Sequence, residues 1–388
     1  MPAPEPAKKL SAANNEFGFD LLRHLHKDGE NTFLSPTSIG MALQMTSRGA
    51  KGETLSEMNE TMHVGALEVG DANRKLLDAL SGRDDVKLNV ANAIWADPAN
   101  LNLNKNFATD VSKQFDAEID AISFSDPKTK DVINTWISDK TEQKIPEMLK
   151  ELDPSIVALL ANAIYFKGDW TYKFDKEKTE KADFTRADGS TQKVSMMQSG
   201  KLELRYAEND DVQIVALPYG PAAVKKEQPG PLSEVYMWLI VPKEGKSLDS
   251  IVSGLTSAEF QKLKNSATRI KGTVELPRFK MKYRKELQDD LPKLGMVQAF
   301  HNGKADFSGF ESDNRRGLYI SKVIHEAIIE VNEEGTVAAA ATVVTMSKGA
   351  PPRSFSVRCD KPFLLAIADD HTGSIMFIGT VYQPEDLE

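Results

Sequence analysis

The run from Ile156 to Phe166 is apolar throughout, interrupted only by Asn162. A half-exposed strand alternates apolar and polar residues, so a run that is apolar on both alternating faces is covered on both. Val157 to Phe166 therefore reads as a buried central strand or a buried helix. Strand patterns follow it at Gln213 to Leu217, Val235 to Val241, Gly272 to Leu276, Val323 to Val331, Phe355 to Cys359, Phe363 to Ile367 and Ser374 to Val381. Ahead of it the pattern is mostly helical. Phe17, Leu21, Leu22 and Leu25 recur at helical spacing, Ser35-Pro36 opens a segment carrying Ile39, Leu43 and Met45, and an amphipathic stretch begins at Thr54. Only Asp85 to Trp95 reads as a strand in that third. Helices early and strands late predict an α+β fold. At about 150 residues per domain, 388 residues suggest two or three domains. No repeat or composition break marks a boundary, and residues 1–388 read as one domain. The one loop-like insertion, Tyr219 to Ser233, is rich in Gly and Pro and carries Lys225 and Lys226 as a solvated turn.

Several function classes lack support. The chain has 48 basic and 57 acidic residues, a net charge of −9, which argues against a broad face for nucleic acid. No run approaches the about 20 apolar residues needed to span a membrane. A single cysteine, Cys359, excludes an intrachain disulfide and any multi-cysteine metal site, and in a strand it reads as a buried structural thiol. The nucleotide loops G-x-x-x-x-G-K-[ST] and G-x-G-x-x-G and the serine elbow G-x-S-x-G do not occur. His325-Glu326 begins like a zinc-protease motif, but Ile329 stands where the second histidine is required. No metal, no cofactor and no enzymatic activity are expected. Met1 to Pro6 lacks the basic-then-apolar pattern of a secretory leader. This leaves open a cytoplasmic protein and an extracellular one whose leader has been removed. The sequon Asn59-Glu60-Thr61 adds little, because such tripeptides arise by chance.

The unusual segment is Glu333 to Pro352. Propensity alone gives a short Ala-rich helix and then a Pro-rich turn. Taken as a strand, Thr336, Ala338, Ala340, Thr342 and Val344 share one face, all small or β-branched and uncharged. Such a face can enter a packed sheet without burying an unpaired charge. The segment ends in Lys348-Gly349-Ala350-Pro351-Pro352, the composition of an exposed, protease-accessible loop. The combination describes an exposed loop whose first half is able to become a core strand.

From about residue 11 to residue 384 the chain resembles the serpins, on separated motifs in the family's order. These are Phe33-Leu34-Ser35-Pro36-Thr37-Ser38-Ile39, Gly49 to Thr54, Asn162-Ala163-Ile164-Tyr165-Phe166-Lys167-Gly168-Asp169-Trp170, Ala305 to Phe310, Ile320-Ser321-Lys322 through His325 to Thr336, and Arg358 to Leu364. The resemblance implies an α+β serpin fold with three β-sheets, about nine helices and a reactive-centre loop at about 333–357. It also implies a monomer that traps its target serine protease in a covalent complex. The protease attacks the loop, forms an acyl-enzyme and is dragged as the cleaved loop inserts into the main sheet. That mechanism is a known property of the family and is not deduced from these residues. Two alternatives stay open: a non-inhibitory carrier or chaperone, and a cross-class inhibitor of papain-like cysteine proteases.

Carried over residue by residue, the resemblance makes Glu333, Gly335, Thr336, Ala338, Ala340 and Thr342 the hinge of the loop. Val337 replaces a frequent glutamate at an outward position. Counting from Glu333 puts the cleaved bond at Gly349–Ala350, but glycine offers no side chain to a protease pocket. The neighbouring Lys348–Gly349 suits an acidic, trypsin-like pocket and is favoured. Met346–Ser347 would suit chymotrypsin- or elastase-like proteases, and cleavage after Arg353 would lengthen the inserted segment and weaken trapping. Ser35, Ser38, Asn162 and His325 match the shutter, where the sheet must open. Trp170, Arg278 and Glu333 match the breach, where the loop first inserts. Arg278 replaces a commoner lysine, so a bidentate pair with Glu333 is expected there. The segment Asp71 to Lys87 mixes Arg74, Lys75 and Arg83 with Asp78, Asp84 and Asp85, so activation by heparin is not expected.

Overall fold

Residues 158–168 are a strand, which settles the choice the sequence left open. The computed structural model describes residues 2–81, 83, 86–99, 102–154, 156, 158–221, 234–312, 317–334 and 354–387. Among them are eight α-helices: α1 (Glu5–Leu25), α2 (Pro36–Ser47), α3 (Gly52–Thr61), α4 (Val69–Ser81), α5 (Lys105–Phe115), α6 (Thr129–Lys140), α7 (Leu248–Gly254) and α8 (Ser257–Ser266). The strands are β1 (Thr32–Leu34), β2 (Val86–Ala96), β3 (Glu118–Ala121), β4 (Ala158–Gly168), β5 (Glu180–Thr185), β6 (Thr191–Gln198) and β7 (Leu202–Glu208). They continue as β8 (Val212–Pro218), β9 (Val235–Pro242), β10 (Thr268–Glu286), β11 (Lys322–Val331), β12 (Ser354–Arg358), β13 (Phe363–Asp369) and β14 (Ile375–Val381).

The 14 described strands are hydrogen-bonded into one network, in which three sheets meet at β10. The main sheet runs β3-β2-β4-β11 and ends on the second half of β10. The first half of β10 pairs with β12, and residues near its middle pair with β6, which carries β5. A third, antiparallel sheet runs β1-β14-β13-β9-β8-β7, and β7 also bonds the start of β10.

The main sheet is covered on both faces, which is why β4 lacks alternation. Leu160, Ile164 and Phe166 point into the larger core, on the side of α2. Leu159, Ala161 and Ala163 point the other way, into a smaller cluster with Ile133 and Ile137 of α6. Helix α2 is buried on every side, so its sequence shows no clean polar face. Its N-terminus is fixed by Ser35, whose hydroxyl accepts from the Ser38 N–H at 3.1 Å, and by Pro36 in the first turn. Helix α1 crosses there at Gly18, where a Cβ would lie 2.4 Å from Pro36 Cβ.

Candidate functional site

Strands β4 and β11 lie side by side and parallel, in register from Lys322 opposite Leu159 to Ile328 opposite Tyr165. Every other contact of β4 and β11 within the main sheet is antiparallel. A strand placed between two parallel neighbours has the same orientation to both, and antiparallel to both is the slightly more stable choice. A chain that leaves the end of β11 and turns back runs in that direction. One further strand in the seam between β4 and β11 would make the order from β2 to β10 fully alternating, and only the outer β2–β3 pair would stay parallel.

Side chains at the middle of the seam are tied together. The register sets His325 opposite Asn162, and Asn162 opposite Asn92 of β2. The Ser35 backbone N–H donates to His325 Nε2 at 3.3 Å, so His325 carries its proton on Nδ1 and donates to Asn162 Oδ1 at 2.7 Å. The Asn162 amide nitrogen reaches Asn92 Oδ1 at 2.7 Å, Ser38 O at 2.9 Å and Ser38 Oγ at 2.5 Å. Ser35, Ser38, Asn162 and His325, named from the sequence, are thus one buried cluster that joins both sides of the seam to the start of α2. Asn92 was not named. A signal for it existed: Ala91-Asn92-Ala93-Ile94 repeats Ala161-Asn162-Ala163-Ile164, and antiparallel pairing sets the two asparagines opposite each other.

Burial pushes the imidazole of His325 down from its ordinary 6.5 to about 3. An opened or unfolded state takes up a proton near 6.5, and the closed state does not until about 3. Stability is therefore full above pH 6.5 and falls as the pH drops through that window, by about 1.4 kcal/mol per pH unit. At pH 5 the closed seam should be about 2 kcal/mol weaker than at neutral pH. Loss of native monomer at a fixed mild temperature, followed from pH 7 to pH 5, should accelerate. His325→Gln should remove one proton's worth of that slope, and an unchanged slope would rule out His325 as its source.

At the end of the seam Trp170, Phe174, Lys176 and Thr179 hold the chain past β11. Trp170 Nε1 donates to Asn332 O at 2.9 Å, and its backbone N–H donates to Glu334 O at 3.2 Å. Trp170 is itself fixed by stacking on Tyr219, with ring centroids 4.4 Å apart. The Phe174 N–H donates to Glu333 O at 3.0 Å. The buried Glu333 carboxylate accepts from Thr179 Oγ1 at 2.8 Å. Lys176 pairs with Glu334 at 2.5 Å. Trp170, Arg278 and Glu333 do meet here, but the bidentate Arg278–Glu333 pair expected from the sequence does not form. One contact of 3.7 Å joins them, because Arg278 Nε is turned to Asp386 at 3.2 Å.

Gly335, Thr336, Ala338, Ala340, Thr342, Lys348, Gly349 and Ala350 lie outside the described residues. The Lys225–Lys226 loop does too. The described chain stops at Glu334 beside the seam and resumes at Ser354 in β12. His325 and Glu326 lie on a strand and face opposite sides of the sheet, not the common face a zinc helix needs. Cys359 is buried. Burial first, then Asp360 and Glu275, pushes its thiol well above the ordinary range, so it is a poor nucleophile. Among the basic residues near α4, Arg74 pairs with Asp78 at 2.5 Å, Lys75 with Asp71 at 2.6 Å, and Arg83 with the buried Asp369 at 2.6 Å.

Comparison with known proteins agrees with this geometry. The family profile Serpin (serine protease inhibitor) matches residues 12–384. Iripin-2 of Ixodes ricinus is 35% identical, with 96% of this chain and 93% of that protein covered. The leukocyte elastase inhibitor of Xenopus laevis is 33% identical, with 97% and 100% covered. Among solved structures, the thermophilic serpin tengpin in its native state superimposes with a TM-score of 0.85 at 31% identity, covering 98% of this chain and 95% of that one. Human thyroxine-binding globulin complexed with thyroxine also gives 0.85, at 26% identity, with 98% and 100% covered. The chain belongs to the serpin family.

Proposed function

We propose that this serpin inhibits serine proteases, trypsin-like ones first, by trapping them as acyl-enzymes while its cleaved loop inserts between β4 and β11. The observation that carries the proposal is the parallel β4–β11 seam, reached directly by the chain that leaves β11 at Glu333 and Glu334. The small, uncharged residues Thr336, Ala338, Ala340 and Thr342 supply a strand face that can be buried there. On this reading the protein performs no turnover of its own. It acts as a monomer, forms one covalent complex with its target and requires neither a cofactor nor heparin. Ser35, Ser38, Asn162 and His325 act as the shutter that keeps the seam closed, and Trp170, Arg278 and Glu333 hold the first turn of the loop. A carrier role is disfavoured by the same small hinge residues, since a loop that never inserts has no need of them.

Lys348 is the proposed recognition residue, with cleavage at Lys348–Gly349. Incubation with trypsin should give an SDS-resistant complex, and the released C-terminal peptide should begin at Gly349. A peptide beginning at Ala350 would move the bond by one residue, as the strict count from Glu333 has it. Cleaved serpin beside fully active trypsin would overturn the inhibitory claim for that protease. A complex formed with papain instead would select the cross-class alternative.

A further inference from the structure

The segment after β14 returns to the place where the chain leaves the main sheet. Gln192 Nε2 donates to Pro384 O at 2.7 Å, and the Lys280 N–H donates to Glu385 O at 2.8 Å, which covers the outer edge of β10. Asp386 then sits among three donors. Its Oδ2 accepts from Ser195 Oγ at 2.5 Å and from Lys181 Nζ at 2.6 Å, and its Oδ1 accepts from Arg278 Nε at 3.2 Å. Arg278 also donates from Nη2 to Ser195 Oγ at 3.3 Å. That leaves only Nη1 toward Glu333, at 3.7 Å, too long for a hydrogen bond. Burial opposes the charge on Asp386, but Lys181, Ser195 and Arg278 outweigh it and hold the carboxyl below its ordinary value. Asp386 thus competes with Glu333 for the guanidinium of Arg278.

We propose that Asp386 is a positioning residue: by occupying Arg278 it prevents a bidentate Arg278–Glu333 clamp and so sets how readily the hinge is released into the seam. The proposal rests on the loop-insertion reading above. Without Asp386, Arg278 keeps Ser195 Oγ, and the carboxylate beside it is Glu333, whose side chain is only 5% exposed. Two parallel N–H···O bonds to a shielded carboxylate are the strong form of this pair.

Asp386→Asn should therefore slow the loss of native monomer under mild heating about fivefold, the worth of one partly shielded ion pair. It should also raise the number of serpin molecules consumed per trypsin trapped. Asp386→Glu should restore both values. In a Glu333→Gln background the slowing should vanish, because Arg278 then has no hinge carboxylate to close on. Conversion at the original rate or faster in Asp386→Asn, or equal slowing in the Glu333→Gln background, would overturn the proposal. The heating measurement needs no protease. If the unaltered protein fails to trap trypsin while Asp386→Asn still converts slowly, the inhibitory reading falls and the role of Asp386 stands.

Discussion

On the proposed trapping mechanism, Thr336→Arg is expected to turn the protein from an inhibitor of trypsin into a substrate of it. Trapping is a race between insertion of the cleaved loop and hydrolysis of the acyl-enzyme. Thr336 heads the row of small residues that would share a face of the new strand. An arginine there must bring an unpaired charge into a sheet that is covered on both faces, by the core around α2 and by the cluster under α6. Such a step costs several kcal/mol, and each 1.4 kcal/mol slows it about tenfold. Hydrolysis then wins the race. The proposed bond at Lys348–Gly349 lies well beyond Thr336 in the sequence, so initial cleavage should proceed within about twofold of the original rate, the change expected of a surface residue outside the protease contact. The SDS-resistant complex should fall to a trace. Gel analysis with residual trypsin activity checks both quantities. A full yield of complex from Thr336→Arg would show that the first half of the loop does not enter the sheet.

His325→Ala should have the second large effect, on the native state itself. The substitution leaves the Ser35 N–H without an acceptor and Asn162 Oδ1 without its donor, in a site where both residues are buried. Each orphaned group costs about 1–3 kcal/mol, and the space left by the ring adds to that. With about 3 kcal/mol removed from the closed seam, conversion to polymers or to a latent monomer should speed up on the order of a hundredfold. Native gels after mild heating measure the fraction still monomeric. An unchanged fraction would mean that the cluster does not hold the seam. Glu333→Lys should act in the same direction at the other end, since it sets a cation against Arg278 and removes the acceptor of Thr179 Oγ1.

Much of the fold was legible because it is written in local periodicity. The strands read at Val235 to Val241, Val323 to Val331 and Phe363 to Ile367 appear as β9, β11 and β13 within one or two residues of their ends. They are short runs rich in β-branched and aromatic residues, the composition that favours a strand over a helix. The pair β5 and β6 was missed, because Glu180–Thr185 and Thr191–Gln198 carry charges on half-exposed faces and look like loop. The sequence reads Gly272 to Leu276 as a short strand, yet β10 runs 19 residues, and its second half alternates the exposed Lys280, Lys282 and Arg284 with the buried Phe279 and Met281 and the half-buried Tyr283. The site divides in the same way. Ser35, Ser38, Asn162 and His325 carry recognisable motifs. Asn92 carries only the repeat of Ala-Asn-Ala-Ile, which gains meaning once β2 is paired with β4, and Asp386 carries no motif at all.

The sequence by itself determined that β4 must be buried on both faces, that the segment after Glu333 is small and uncharged enough to be buried, and that a lysine waits beyond it. These properties depend on residues a few positions apart. Only the tertiary structure decided that β4 lies parallel to β11, that His325 reaches Ser35 across 290 positions of chain, and that Arg278 turns to Asp386 and away from a full pairing with Glu333. Strand order and the sharing of a guanidinium between two carboxylates are set by competition among distant groups for the same hydrogen bonds. No local pattern records which of them wins.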